Sequence, residues 1–120
     1  MVRLIKYDRS VIPACDVKTI EEFRRLIEQT CDVNGIGGYK IGSLLTIRYG
    51  LSTLVRVVRE FTDLPVIYDQ KAMTDLPDIG KDFATAVKDA GADALIGFPQ
   101  SGATTEEVWI QACKEAGLVR

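Results

Sequence analysis

The sequence contains no histidine, and this absence excludes several common catalytic and metal sites. Triads that use His as their base cannot be built from these 120 residues, and neither can zinc sites rich in His. Any acid–base chemistry must therefore rely on Asp, Glu, Lys, Tyr or Cys.

Cysteine is also scarce, and its placement argues against disulfides and zinc. Cys15, Cys31 and Cys113 are odd in number, far apart in the chain and without CxxC spacing. Thiols of this kind are typical of a reducing compartment, where they are buried as small hydrophobic side chains. We therefore expect a cytoplasmic protein.

Aromatic residues make up only 8% of the chain, and no cluster of basic residues stands out. This composition does not favour binding to nucleic acid or to a membrane surface. No apolar run approaches the roughly 20 residues of a membrane span, and the start Met1-Val2-Arg3 does not resemble a signal peptide. With 47% hydrophobic and 27% charged residues and a net charge of −2, the chain is expected to form a single globular domain, residues 1–120.

Short β-rich segments alternate with longer amphipathic ones, as in proteins built from βαβ units around a parallel sheet. Strands are predicted near residues 11–17, 35–42, 65–71 and 94–98. The first helix is expected to open with a capping box of Thr19 and Glu22, and the last with one of Thr104 and Glu107. The second helical stretch is interrupted at Gly50, and the third helix is predicted to start around 77–78.

Apolar residues at helical spacing predict which face of each helix is buried. The expected core positions are, helix by helix, Ile20, Phe23 and Ile27; Leu54, Val55, Val58 and Phe61; Ile79, Phe83, Ala86, Val87 and Ala90; and Val108, Ala112, Cys113 and Ala116.

The two last helices end alike, at Gly91 and at Gly117, and a strand follows the first of these glycines. We therefore expect a fifth strand to begin at Leu118 and to be cut off at residue 120. Since a complete (βα)₈ barrel needs about 200 residues, the predicted fold is α/β, the parallel (βα)₄ half of a TIM barrel. A five-stranded flavodoxin-like sheet is the rival, but it needs one more strand than the pattern contains.

Polar residues lie where each predicted strand ends, which is where parallel α/β proteins bind ligands. They are Asp16 after the first strand, Lys40 after the second, Asp69, Lys71 and Asp75 after the third, and Gln100 and Ser101 after the fourth. Charges at the ends of several apolar strands are costly unless they pair with each other or with a ligand. The pattern therefore favours a functional site on this rim.

Each of these residues also has a purely structural interpretation. Asp16 and Asp75 can be helix caps, Lys40 can extend into solvent, and Asp69 with Lys71 can form a simple ion pair. Gln100 and Ser101 are common turn residues. The glycines of segment 35–38 do not make a dinucleotide fingerprint, because Lys40 stands where its last glycine is required.

The segments VIPACDV, YKIG and YDQKAMTDLP resemble the first three strand ends of orotidine 5′-monophosphate decarboxylases, closest to a divergent archaeal and bacterial branch. FPQSG and EEVWI continue the resemblance along the chain, within the first half of the family's barrel only. It implies a lyase of pyrimidine biosynthesis that acts as a homodimer, without metal or cofactor.

The resemblance also implies roles for individual residues. Asp16 would contact the ribose of the substrate, and Lys40 would hydrogen-bond the ribose and orient Asp69. Asp69 would lie against the substrate carboxylate, and Lys71 would protonate the carbon that loses CO₂. Asp75 would reach into a partner's site, although one more residue separates it from Lys71 than the family spacing Asp-x-Lys-x-x-Asp allows. The loops that grip the phosphate in the family have no counterpart in this chain.

Other functions remain open. Sister enzymes that act on sugar phosphates hold Mg²⁺ with a Glu at the end of the second strand, where this chain has Lys40. A class I aldolase would use Lys40 or Lys71 as a Schiff base. From a different class, the chain can be a non-catalytic, excised or engineered half-barrel. The open half-barrel is in any case expected to form a homodimer or a larger self-assembly, since it leaves strand edges and an apolar face uncovered.

Overall fold

The computed structural model describes residues 3–70 and 77–119. The helices are α1 (Ile20–Thr30), α2 (Ser43–Tyr49), α3 (Leu51–Phe61), α4 (Gly80–Asp89) and α5 (Ala103–Ala116). The strands are β1 (Tyr39–Gly42), β2 (Val66–Asp69) and β3 (Ala94–Ile96). Two short 3₁₀ helices, Pro77–Ile79 and Pro99–Ser101, precede α4 and α5.

The sheet is parallel, and its strands lie side by side in the order in which the chain forms them. The order is β1-β2-β3, with Tyr39 opposite Val66 and Ile67 opposite Ala94. Single parallel bridges extend it at both edges, from Ala14 to Lys40 and from Ala94 to Val119. The strands of a half-barrel lie in the order in which they occur in the sequence, whereas a flavodoxin-like sheet has its first strand between the second and the third. The structure therefore decides against the rival architecture.

The first strand is less regular than predicted. Residues 11–17 make only two bridges to the neighbouring segment, at Val11 and Ala14, and form no continuous strand. Pro13 lies between the bridges and has no N–H to donate, although its carbonyl accepts a hydrogen bond from the Lys40 amide at 3.0 Å. The segment thus lies where a first strand is expected, with an interrupted ladder.

One of the two predicted capping boxes is present, with its return hydrogen bond shifted from Thr19 to the preceding residue. The Thr19 hydroxyl accepts a hydrogen bond from the Glu22 amide at 3.2 Å, and the Glu22 carboxylate accepts one from the Lys18 amide at 3.0 Å. The second prediction was wrong, because α5 already begins at Ala103 after the N-cap Gly102, so that Thr104 lies inside the first turn. Because glycine has no side chain, this N-cap makes no side-chain hydrogen bond.

The break between α2 and α3 falls at Gly50, as predicted. Gly50 has a φ of +83°, which residues with a side chain rarely adopt, and it serves as the C-cap of α2 and the N-cap of α3. The predicted start of the third helical stretch is also confirmed, since the 3₁₀ turn at Pro77 runs directly into α4.

The core lies between the helices and one face of the sheet, and it differs from the prediction mainly in α4 and α5. In α4, Ala84 is buried and the expected Ala86 is exposed. In α5, the expected Val108 is 39% exposed, while Trp109 is buried against the ring of Phe83 at a centroid distance of 5.1 Å. Ile79 was also wrongly assigned to the core, whereas the remaining predicted positions are buried or partly buried. No helix within residues 3–70 and 77–119 is long and apolar enough to cross a membrane.

Candidate functional site

The two faces of the sheet have different chemistry. Tyr39, Ile41, Val66 and Tyr68 are buried in the core beneath the helices. Successive side chains of a strand point to opposite faces, so the intervening residues lie on the other face. Lys40 and Asp69 therefore share that face, near the carboxyl ends of β1 and β2.

Lys40 and Asp69 form an ion pair. The Lys40 Nζ donates to Asp69 Oδ2 at 2.9 Å, with 22% of the Lys40 side chain and 5% of the Asp69 side chain exposed. The other oxygen, Oδ1, is buried and has no hydrogen-bond partner among the residues that the structure describes. Buried carboxylate oxygens usually accept a hydrogen bond, so a hydrogen-bond donor placed next to Oδ1 would be stabilised there.

The pKa of Lys40 is raised above its ordinary value, chiefly by the hydrogen bond that it donates to Asp69. Burial acts in the opposite direction, while the negative charges of Asp69 and Asp16 reinforce the increase. Lys40 is therefore an ammonium group at neutral pH, fixed in position before any ligand arrives. Such a group can stabilise negative charge that develops in a reaction without having to reorganise.

Asp16 lies at the same end of the sheet. Its Oδ1 is 3.2 Å from the position that a Cβ would occupy at Gly42, the residue opposite Asp69 in the register. The alternative that Asp16 caps the following helix is wrong, because Thr19 is the N-cap of α1. The structure thus gathers Asp16, Lys40 and Asp69 around the end of β1.

Cys15 lies next to this cluster but is not a reactive thiol. Its side chain is buried, and burial raises the pKa of the thiol to about 12, with a smaller contribution from Asp16. Since the thiolate is the nucleophilic form, Cys15 is inert at neutral pH.

The remaining predicted site residues are less closely connected to the pair. Lys71 and Asp75 lie outside the described residues. Gln100 is exposed in the 3₁₀ turn between β3 and α5. Ser101, in the same turn, lines a cavity of about 220 Å³ together with Trp109 and other residues of β3 and α5, and neither Lys40 nor Asp69 lines that cavity.

Two residues near the site have no counterpart in the sequence-based prediction. Gly42 was treated only as part of a strand, although its contact with Asp16 places it inside the cluster. Gln70, which follows Asp69, accepts a hydrogen bond from the Tyr68 hydroxyl at 3.1 Å, on the face of the sheet opposite Lys40 and Asp69. A polar residue directly after a buried strand was a signal for Gln70, whereas the role of Gly42 depends on a neighbouring segment that the strand pattern does not reveal.

Comparison with known proteins gives a structural relative and no relative by sequence. No protein-family model matches the chain, and no curated protein matches it. The structure is similar to the crystal structure of orotidine 5′-phosphate decarboxylase from Pyrococcus horikoshii OT3, with a TM-score of 0.72 and 28% sequence identity. The match covers 87% of this chain and 46% of that protein, so the chain spans about half of the relative's length. The fold is therefore part of a TIM barrel of the orotidine 5′-phosphate decarboxylase type.

Proposed function

We propose that this chain carries the charged part of an orotidine 5′-phosphate decarboxylase site, in which Lys40, Asp69, Lys71 and Asp75 act together on a pyrimidine nucleotide. The observation that carries the proposal is the Lys40–Asp69 ion pair, at 2.9 Å, on a partial barrel similar to that of a decarboxylase with this activity. In the proposed site, Asp16, Gln100 and Ser101 contact the substrate.

The chemistry follows from fixed charges. The Asp69 carboxylate lies against the substrate carboxylate, and their repulsion is relieved when the bond between carbon and CO₂ breaks. The electron pair of that bond stays on the ring carbon, and Lys71 donates a proton to it from its ammonium group. Lys40 holds Asp69 in place and stays charged because its pKa is raised. Asp75 completes the array from a partner subunit.

The site is incomplete for binding in this chain alone. Contacts to a remote phosphate supply much of the free energy that positions a nucleotide for reaction. The chain matches 46% of the relative, and the resemblance assigns the phosphate loops to the other half of the barrel. We therefore expect the isolated chain to decarboxylate orotidine 5′-monophosphate very slowly or not at all.

A decarboxylation assay on four samples tests the proposal. The samples are the chain alone, the chain with the second half of the relative's barrel supplied in trans or by fusion, and the complemented Lys71→Ala and Lys81→Ala variants. Lys81 is an exposed residue of α4 and serves as the matched control. We expect turnover in the complemented chain and its Lys81→Ala variant, and none in Lys71→Ala. Full activity in Lys71→Ala would refute the assigned chemistry, and robust turnover by the chain alone would refute the argument from phosphate binding.

We also propose that the chain associates with a second copy of itself. Apolar side chains are exposed at both edges of the sheet, with Val11 62% and Val119 43% exposed. Near the end of β3, Ile96 and Phe98 are each 38% exposed. Open sheet edges with exposed apolar residues tend to pair with another chain, which here would close the barrel or cover the rim of the site.

A further inference from the structure

Gly42 occupies the centre of the charged cluster. It is the last residue of β1, it lies opposite Asp69 in the parallel register, and it follows Lys40 by two positions on the same face. A Cβ built on Gly42 would meet Asp16 Oδ1 at 3.2 Å and no other atom within 4 Å among the residues described. Of the described residues, Asp16 is thus the one whose side chain enters the space above Gly42.

The backbone does not require a glycine at this position. Gly42 has φ −96° and ψ 179°, an extended conformation that any residue adopts, in contrast to Gly50 with its φ of +83°. The conformational reason for a glycine is thus absent. A steric reason remains, because a Cβ at position 42 would come close to Asp16, at 3.2 Å from its Oδ1.

We infer that Gly42 is a positioning residue for Asp16, since its missing side chain leaves the space in which the Asp16 carboxylate lies beside Lys40 and Asp69. The inference deepens the proposed function and rests on it for its meaning, because Asp16 is the residue proposed to bind the sugar of the substrate.

The consequence of adding a side chain follows from the exposure of Asp16. Asp16 is exposed, so its carboxylate can move away from a new side chain while the strand stays in place. Among the residues that the structure describes, the Asp69 carboxylate of β2 and the neutral thiol of Cys15 are then the titratable groups that still act on Lys40. Loss of the nearby Asp16 charge lowers the pKa of Lys40, while the hydrogen bond to Asp69 persists.

The experiment measures the pKa of Lys40 by NMR on the chain labelled with ¹³C and ¹⁵N in its lysines, without any ligand. The samples are the unsubstituted chain, Gly42→Ala, Gly42→Val, Asp16→Asn and the double variant Gly42→Val with Asp16→Asn. Ser43→Val, which places a valine side chain at the next, exposed position, is the matched control. A charge several ångströms away in partly screened surroundings changes a pKa by about 0.2 to 0.5.

We expect the pKa of Lys40 to fall by about this amount in Asp16→Asn, by less in Gly42→Val, by least in Gly42→Ala, and not in Ser43→Val. The double variant should show no further fall beyond Asp16→Asn, because both changes remove the same interaction. An unchanged pKa in Gly42→Val, or an equal additional fall in the Asp16→Asn background, would overturn the inference. If Gly42→Val does not fold, the same comparison is made with Gly42→Ala.

Failure of this inference is distinguishable from failure of the proposed function. The NMR measurement contains no substrate, so an inactive complemented enzyme leaves its result unaffected. Conversely, if the complemented enzyme is active but Gly42→Val leaves the pKa of Lys40 unchanged, the proposed function is supported and the positioning role of Gly42 is refuted.

Discussion

Replacing Lys40 with Met would leave the Asp69 carboxylate buried without its ammonium partner. The Asp69 side chain is only 5% exposed, and Lys40 is the one group described that hydrogen-bonds it. Removing one partner of a fully buried ion pair costs about 3–5 kcal/mol. Because 22% of the Lys40 side chain is exposed, water screens part of this interaction, and we expect the free energy of unfolding to fall by about 2–4 kcal/mol at pH 7.

A double-mutant cycle separates the charge from the packing of the lysine stem. Urea unfolding at pH 7 is followed for the unsubstituted chain, Lys40→Met, Asp69→Asn and the double variant. The double variant should be more stable than the sum of the single losses predicts, with a coupling free energy of about 1–3 kcal/mol, because its neutral amide no longer needs a cation. Lys81→Met, at an exposed position of α4, controls for the loss of a surface charge.

A Lys40→Met variant within about 0.5 kcal/mol of the unsubstituted chain would refute this reasoning, since surface substitutions have effects of that size. If the losses in free energy of unfolding of the two single variants add up to that of the double variant, the two side chains contribute independently and the ion pair does not stabilise the site.

Three further predictions concern other parts of the chain. The pKa of the Cys15 thiol is raised from 9.0 to about 12, so its contribution to the free energy of unfolding is complete below pH 9 and is lost by about 1.4 kcal/mol per pH unit from pH 9 towards pH 12. The free energy of unfolding of Cys15→Ala should lack this loss, and parallel pH profiles of the two proteins would contradict the prediction. Gly50→Ala should destabilise the chain by about 1 kcal/mol in thermal unfolding, because φ is +83° there, whereas an equal or higher midpoint would show that the junction relaxes. Sedimentation at micromolar concentration should reveal a dimer or a larger assembly, and a stable monomer would count against the proposed self-association.

The alternation of strands and helices was predictable because it depends on local patterns. Thr19 with Glu22, and the glycine at position 50, specify a helix start and a helix break through interactions within a few residues. The buried face of α5 was not predictable in the same way. Val108, Trp109 and Ile110 are consecutive apolar residues, and the choice among them depends on tertiary packing, in which Trp109 fills the space beside Phe83 and Gly80.

The candidate site was partly predictable for a similar reason. The predicted strand ends put Lys40 and Asp69 on one rim, the resemblance implied that Lys40 orients Asp69, and the structure pairs them. The contribution of Gly42 depends on Asp16 approaching from a neighbouring segment. That approach is set by the lateral arrangement of two segments, which neither periodicity nor propensity encodes.

The sequential order of the strands has a consequence for how the chain folds. Tyr39 is as far along the chain from Val66 as Ile67 is from Ala94, so β2 and β3 each close a loop of the same length against the strand before them. The conformational entropy lost in each loop closure is then nearly equal, and none of the described strands pairs with a strand much farther away in the sequence. We therefore expect the strands to be added one after another, each with its helix, starting from either edge of the sheet. Substitutions in one unit should then slow the addition of its immediate neighbours more than that of units farther along.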